Sequence, residues 1–420
     1  MASHSCPSVR FPVGLAIAAL VLASQVRPGL AAGPYAAWKH GPPKDPNYFP
    51  IAVWLQAPRN AAKFQAAGIN LYVGLWKGPT EKQLADLKAA GMPVICAQND
   101  VGLKHADDPV ILGWMHGDEP DNAQRRKDGK GYGPPVAPEK IVADYRRIRA
   151  ADATRPVLLN LGQGVAWDGW VGRGVRTNHP EDYVEYVRGC DIASFDIYPA
   201  VSTRPQTAGK LWYVARGVQR LRRWAGPKRI TWNCIECTRI SNVKVKPTPH
   251  QVRAEVWMAI VHGSRGLIYF VHQFKPRFIE PALLHDPEMV AAVTKINRQV
   301  RELAPVLNGP AVARIVHAKS PARPGGKDAA DTADAGFTVR TSPADVPVDV
   351  LIHRHGGATY VLAVCMADAP VVVDFARTGG RDAGHRPVEV IGEDRRIDRS
   401  GGWGFREAFK PYDVHIYRLR

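Results

Sequence analysis

The run Ile111-Leu-Gly-Trp-Met-His-Gly-Asp-Glu119 is short and apolar and ends in two carboxylates. A second run of the same kind, Ile230-Thr-Trp-Asn-Cys-Ile-Glu236, also ends in a glutamate. Their length, and the Gly and Pro residues around them, predict buried β-strands. Counted along the chain, they are the fourth and seventh strands of a series in which strands alternate with helices. We therefore expect both glutamates at the same end of a parallel sheet.

Six further strand-like runs complete the series between residues 48 and 308. Segments with helical periodicity separate them, although the third helix is predicted to be weak or missing. Eight such units favour an α/β fold, a closed (β/α)8 TIM barrel. An open doubly wound sheet is the alternative, but no glycine-rich phosphate fingerprint follows the first strand. The predicted strands are 51–56, 69–75, 94–98, 111–119, 157–161, 192–198, 230–236 and 266–272, and the predicted helices are 58–68, 80–91, 138–151, 180–187, 208–224, 248–262 and 286–304.

Residues 309–420 follow a different pattern, with short β-rich runs and turn residues but no helical periodicity. This pattern predicts a small all-β sandwich after the barrel. Within it, the Pro, Gly, Asp and Ala residues of 320–335 predict a mobile loop. Residues 33–47 are interpreted as a linker that precedes the barrel.

The first 32 residues are interpreted as a signal peptide and processing region. Arg10 precedes an uncharged apolar run, residues 11–23, that is too short to span a bilayer and ends in small residues. No later stretch is long and apolar enough to form a membrane span. We therefore expect a secreted or periplasmic protein without stable membrane insertion after cleavage.

Charge and cysteine content add weaker indications. The formal net charge of +17 fits either a solvated basic surface or an anionic partner. Nucleic acid is disfavoured because no recognisable binding motif is present. The pair Cys234 and Cys237 is a weak zinc signal on its own and is interpreted as one strand residue and one rim residue. Basic residues recur in the loops after strands four, seven and eight: Arg125, Arg126, Lys127, Lys130, Arg239, Lys244, Lys246, Lys275 and Arg277.

Residues at the carboxyl ends of barrel strands are the candidates for chemistry, because that rim carries the active site in TIM-barrel enzymes. Two carboxyl groups that face one pocket are the groups that glycoside hydrolysis uses. Aromatic side chains at the rim suit the flat faces of sugar rings. The candidate substrate-binding residues are Gln98, Asp118, Asp196, Tyr198 and His272 for polar contacts, with Trp54 and Trp76, and also Trp167 and Trp170, as sugar platforms.

These strand ends carry a family resemblance. Gly-Asp-Glu119-Pro after strand four, Ser194-Phe-Asp-Ile-Tyr-Pro199 around the end of strand six, and Glu236 after strand seven together resemble clan A glycoside hydrolases. The resemblance implies that Glu119 is the general acid/base and Glu236 the nucleophile of a retaining mechanism, with the two carboxyls about 5 Å apart. Asp118 stands where that clan usually has asparagine.

Two other functions remain open. The first is a glycan-binding barrel protein without catalytic activity. The second is a metal-dependent enzyme with His116, Asp118, Glu119 and Asp196 as ligands, but neighbouring residues of a strand point to opposite faces, which disfavours a single ion. We therefore expect no cofactor and no metal, and a carbohydrate partner, either neutral or anionic.

Overall fold

The computed structural model describes residues 1–2, 33–323, 336–377, 387–399 and 404–420. Nearly all of the predicted signal peptide therefore lies outside the described residues, as does most of the predicted loop at 320–335. The domain boundaries predicted from the sequence, at residues 32, 47 and 308, stay predictions.

The first domain is a closed parallel barrel, as predicted. Its strands are β1 (Ile51–Trp54), β2 (Leu71–Val73), β3 (Val94–Ala97), β4 (Ile111–Met115), β5 (Val157–Leu161), β6 (Ile192–Phe195), β7 (Ile230–Thr231), β8 (Asn233–Glu236) and β9 (Leu267–Phe270). The seventh predicted strand is divided at Trp232: β7 pairs with β6, whereas β8 pairs with β9. Because these two short strands share one position in the barrel, they join the two ends of the sheet. The Trp232 indole lies inside the barrel, where its N–H donates to the Tyr35 hydroxyl at 2.9 Å.

Helices surround the barrel in the predicted alternation. They are α1 (Ala61–Ala66), α2 (Glu81–Ala89), α3 (Asp100–Lys104), α4 (Pro138–Ala151), α5 (Tyr183–Tyr186), α6 (Trp212–Ala225), α7 (Pro249–His262), α8 (Pro287–Glu302) and α9 (Ala304–Leu307). Thr80 and Gln83 form a capping box at the start of α2, where it satisfies backbone donors that a helix end leaves unpaired. The third helix, predicted to be weak or missing, is the short helix α3.

Two apolar layers hold the barrel together. Side chains such as Leu71, Ile95 and Leu158 alternate inward and fill its interior. Their neighbours along the strands, such as Val94 and Leu159, point outward and pack against the helices. This alternation follows from the two-residue period of a strand, and it leaves the strand ends as the place where polar groups gather.

The second domain is the predicted β-sandwich. One sheet has six strands, β10 (Ala311–Ile315), β12 (Val348–His355), β13 (Ala358–Cys365), β18 (Val414–Leu419), β15 (Val388–Val390) and β16 (Arg395–Ile397), and the other has three, β11 (Phe337–Ser342), β14 (Val371–Arg377) and β17 (Phe405–Phe409). Apolar residues of both sheets form one core between them. Strands β16 and β17 were not predicted, because both are short and rich in charged residues.

Helix α7 lies between the two domains. Its residues from Val256 to His262 are all buried, and Leu351, Leu362 and Ile416 of the six-stranded sheet belong to the same core. Polar contacts accompany this packing: Arg253 Nη1 on α7 donates to the Val414 carbonyl at 2.7 Å. The outer face of the sandwich therefore covers the barrel on the side of α7.

Within the described residues, none of the helices is long and apolar enough to cross a membrane. The five cysteines of this part, Cys96, Cys190, Cys234, Cys237 and Cys365, are buried thiols.

Candidate active site

The structure brings Glu119 and Asp196 together across strand β5. The Glu119 N–H donates to the Asn160 carbonyl at 3.1 Å, and the Asp196 N–H donates to the Leu161 carbonyl at 3.0 Å. Both residues thus continue the parallel pairing with β5 just beyond the ends of β4 and β6. Their side chains meet over the carboxyl end of β5, which is the rim where a barrel carries its active site.

Glu119 is held in an unusual backbone conformation. Its φ of 42° lies in the left-handed region, which non-glycine residues rarely adopt and which is common at functional sites. The Asn122 amide donates to Glu119 Oε2 at 2.8 Å and so orients the carboxyl. This turn directs the half-buried Glu119 side chain over the barrel mouth.

Glu119 and Asp196 form a pair of carboxyls in contact. Burial, the charge of Asp196 and a hydrogen bond with that carboxylate raise the pKa of Glu119 well above its usual range. Burial raises the pKa of Asp196 to about 7, against the opposing effect of the hydrogen bond from Glu119. Two carboxyls in contact cannot both ionise at low cost, so Glu119 carries the proton and Asp196 accepts it. The Tyr198 hydroxyl lies near the Asp196 carboxyl and favours its charged form.

Asp118 supplies a third carboxyl, and this one is exposed. The buried Asn160 side chain at the end of β5 donates to Asp118 Oδ1 at 3.0 Å. Desolvation by the surrounding rim raises the pKa of Asp118 to about 6, and the Asn160 hydrogen bond opposes that rise. Asp118 is therefore a carboxylate near neutral pH that solvent can reach beside a protonated Glu119.

Asp121 fixes the turn that carries these groups. It is fully buried and accepts hydrogen bonds from the Gly162 N–H at 2.9 Å and the Tyr183 hydroxyl at 2.7 Å. Burial raises the pKa of Asp121, while these two hydrogen bonds lower it. Because both oxygens are occupied inside the protein, Asp121 ties the β4 loop to the β5 loop and is not positioned for chemistry.

Glu236 lies outside this cluster. Its side chain is fully buried, and its oxygens accept the Ala200 N–H at 2.6 Å and the Val201 N–H at 3.0 Å. Burial raises the pKa of Glu236 to about 7, and a hydrogen bond from Glu255 on α7 opposes that rise. Burial and the charge of Glu236 raise the pKa of Glu255 well above its usual range. Glu255 thus holds the proton of a second, separate carboxyl pair. The role of Glu236 as the nucleophile stays a prediction.

Aromatic residues form two walls beside the acidic cluster. On one side, the Tyr198 ring lies 5.1 Å from Phe270, and Phe270 leads to the exposed Phe274 and Phe278. On the other side, the Trp170 indole donates to Asn122 Oδ1 at 2.9 Å, and Trp167 lies 6.1 Å from Trp170 between ring centres. Asn122 connects the tryptophans to Glu119, and Tyr198 contacts Asp196 on the other side.

The other predicted binding residues lie in different surroundings. Trp54 packs inside the barrel, whereas Trp76 is exposed on the rim after β2. Gln98 donates to the Ile148 carbonyl on α4 at 3.0 Å, away from the acidic cluster. His272 is buried next to Gln56 at 2.9 Å, and burial lowers its pKa.

Several residues of this region were not predicted. Asn160 ends β5, so the rule that placed the glutamates at strand ends also applies to it. Asn122 follows Glu119 by three residues, but nothing in the sequence indicates that its side chain turns back to the carboxyl. Glu255 is the one acidic residue next to the apolar run Val256–Val261, and a charge at such a position indicates a buried partner.

In the described ranges, no three His, Cys, Asp or Glu side chains are arranged to hold a metal ion. His116, which the metal-dependent alternative requires, is buried and contacts the Gly189 carbonyl through Nε2 at 2.8 Å. It therefore points away from Glu119 and Asp196.

Gly162 leaves room for the Glu119 carboxyl. A Cβ at this position would lie 2.8 Å from Asn122 Nδ2 and 3.0 Å from Glu119 Oε1. We expect Gly162→Ala to displace both side chains and to lower kcat about tenfold or more, since small displacements of reacting groups are costly. Turnover and thermal unfolding should be measured together. Gly133→Ala, where the nearest atom would be 3.8 Å away, is the control, and equal kcat in both variants would contradict the expectation.

Comparison with known proteins extends this description. No protein-family model matches the chain, and no curated protein matches it. Among solved structures, it is similar to Gan42B, a GH42 β-galactosidase from G. stearothermophilus, with a TM-score of 0.53 at 9% identity, over 89% of this chain and 98% of that one. It is also similar to AmyP, solved in complex with maltotriose, with a TM-score of 0.51 at 7% identity, over 89% of this chain and 97% of that one.

At these identities the likeness concerns the fold. The chain has the barrel and β-domain architecture of clan A glycoside hydrolases, and the resemblance predicted from the sequence is confirmed at that level. The activity of this protein depends on its own side chains.

Proposed function

We propose that this protein is an exported glycoside hydrolase in which Glu119 is the proton donor. The observation that carries the proposal is the contact between the Glu119 and Asp196 carboxyls at the carboxyl end of β5, where burial and the neighbouring charge raise the pKa of Glu119. A general acid must hold a proton near neutral pH, and a carboxyl achieves this when burial and a negative neighbour raise its pKa. The glycosidase fold, the flanking aromatic walls and the predicted signal peptide support the same proposal.

In this proposal Asp196 raises the pKa of Glu119 and is not the second reacting group. Carboxyls joined by a hydrogen bond are about 3 Å apart, whereas a retaining pair is about 5–5.5 Å apart and an inverting pair about 6.5–9.5 Å apart. A sugar therefore does not fit between Glu119 and Asp196. In the proposed reaction, Glu119 protonates the glycosidic oxygen as the carbon–oxygen bond breaks, and Asp196 keeps that proton in place beforehand.

Two carboxylates are candidates for the attack on the anomeric carbon. The family resemblance favours Glu236, which would have to leave its contacts with Ala200, Val201 and Glu255. Asp118 needs no such movement, because it is exposed and its carboxylate form is supported by Asn160. Attack by either gives a covalent glycosyl-enzyme, and Glu119, now deprotonated, then activates the water that releases the sugar.

Azide rescue distinguishes the two candidates. A small anion fills the space of a removed nucleophile and forms a glycosyl azide, so we expect azide to restore the turnover of activated aryl glycosides to only one of Glu236→Ala and Asp118→Ala. Neutral and uronic aryl glycosides should both be tested with the parent and with each variant. The rescued variant identifies the nucleophile, and rescue of neither variant would contradict the retaining mechanism.

A glycan-binding protein without activity is the second candidate function. The full burial of Glu236 favours it, since the nucleophile that the resemblance implies is out of reach of solvent. A parent protein that binds oligosaccharides but releases no sugar from any neutral or uronic substrate would establish this function instead.

A further inference from the structure

Arg204 is an exposed arginine that lies over Trp167 and Trp170. Its guanidinium lies 5.1 Å from the centre of the Trp170 ring and 5.9 Å from that of Trp167. The rings cover the guanidinium and reduce its contact with water. Its N–H donors lie in the plane of the group and remain available at the edges that the rings do not cover. Arg204 thus presents a positioned positive charge.

The loop that carries Arg204 is braced from within. The Arg204 N–H donates to Ser202 Oγ at 3.2 Å, and the Ser202 and Thr207 hydroxyls are 2.7 Å apart. Lys210 donates to the Gln206 carbonyl at 2.9 Å. The backbone at Arg204 is therefore fixed, and the position of the guanidinium is a property of the fold.

Neighbouring arginines differ from Arg204 in having carboxylate partners. Arg220 binds Asp168 at 2.6 Å, and Arg173 binds Asp182 at 2.7 Å. No described residue forms an ion pair with Arg204. Arg204 therefore differs from Arg173 and Arg220: it lies on aromatic rings, and no carboxylate of the described chain neutralises its charge.

A short chain of contacts connects this cation to the proposed acid. Trp170 beneath Arg204 donates to Asn122 Oδ1 at 2.9 Å, and Asn122 donates to Glu119 Oε2 at 2.8 Å. Trp170 and Asn122 therefore connect Arg204 to Glu119 through three successive contacts.

We infer that Arg204 binds an acidic group, a carboxylate or sulfate, on a sugar of the substrate, so that the protein acts on an anionic glycan. This inference rests on the proposed function for the reaction, but the binding site stands on its own contacts. Asp118, Asp121 and Asp196 make the surroundings of Glu119 negative and disfavour an anion there. The acidic sugar must therefore occupy the neighbouring position, with its ring on Trp170 or Trp167 and its charge on Arg204.

The test compares charged and neutral forms of the same ligands. Oligogalacturonate, a glucuronate-containing oligosaccharide and a sulfated oligosaccharide are titrated by calorimetry, each beside its methyl-esterified or desulfated counterpart. The Glu119→Gln background prevents cleavage during the titration. We expect at least one charged ligand to bind more tightly than its neutral form, and Arg204→Gln to weaken that binding about tenfold, the effect of one charge-assisted contact. Arg204→Lys should retain part of the preference, and added salt should reduce it.

Arg354→Gln on β12 is the matched control, because it removes an exposed arginine from the other domain. Equal binding of charged and neutral ligands by the parent, or an equal loss of both in Arg204→Gln, would overturn the inference, since the latter is the effect of a merely structural contact. Charge-dependent binding that needs Arg204, combined with no hydrolysis by the parent, would sustain the inference and refute the proposed activity.

Discussion

Glu119→Gln is expected to lower kcat for an unactivated glycoside by about 10²–10⁴-fold, the contribution of a positioned general acid. The same variant should lose much less in the first step with an aryl glycoside whose leaving group departs without a proton. The reason is that glutamine preserves the size of Glu119 and its contact with Asn122, but has no acidic proton. The measurement is a series of kcat/KM values over leaving groups of increasing pKa, for the parent and the variant.

The basic limb of the pH profile provides the control. In the parent, kcat/KM should fall as pH rises through the raised pKa of Glu119, because the donor form disappears. Asp196→Asn removes the negative neighbour, so the pKa of Glu119 should fall and this limb should move to lower pH. A limb that stays in place in Asp196→Asn would show that Asp196 does not hold the proton of Glu119.

Glu255→Gln is expected to raise the free energy of unfolding by about 2 kcal/mol at pH 8 and to change it little near pH 4. The folded protein holds a proton on the buried Glu236–Glu255 pair that the unfolded chain releases above its ordinary carboxyl pKa of about 4.5. Stability from this pair is therefore fully present below that pH and is lost as pH rises through the raised pKa values of the two groups. A glutamine at position 255 can donate to Glu236 without holding a titratable proton.

Urea unfolding at several pH values measures this effect. Glu302→Gln at the end of α8 is the control, because that glutamate is exposed. A stability gain in Glu255→Gln that is the same at pH 4 and pH 8 would show that the shared proton is not its cause.

Most of the fold was predictable because the barrel uses periodic signals. The predicted helix at 138–151 coincides with α4, where Pro138 begins the helix and apolar residues follow at helical spacing. The break at Trp232 was not predictable, since it depends on an indole that fits the barrel interior and reaches Tyr35. Likewise β16 depends on its pairing with β15, and β17 adds only Phe405 and Phe409 to the core, which are too few to indicate a strand.

The candidate site was predictable in part, and for a physical reason. Strand ends identify which residues reach the rim, and this rule located Glu119, Asp118 and Asp196. It does not give the direction of each side chain, which depends on backbone turns such as the left-handed Glu119 and on neighbours that are distant in sequence. Glu236 satisfies the rule for position, but its carboxyl turns to the amides of Ala200 and Val201 and to Glu255.

The sandwich and the barrel meet on α7, and the same helix carries Glu255. One face of α7 supports β8, while its other face contacts strands of the six-stranded sheet. A helix that is apolar on all sides is stable only when all its sides are buried. A fragment that ends at the last barrel helix would therefore expose to water the apolar face of α7 that the sandwich covers. The barrel would then be prone to self-association, and the contact between Glu236 and Glu255 on α7 would become less well fixed. We therefore expect the barrel to be expressed in soluble form only together with the sandwich.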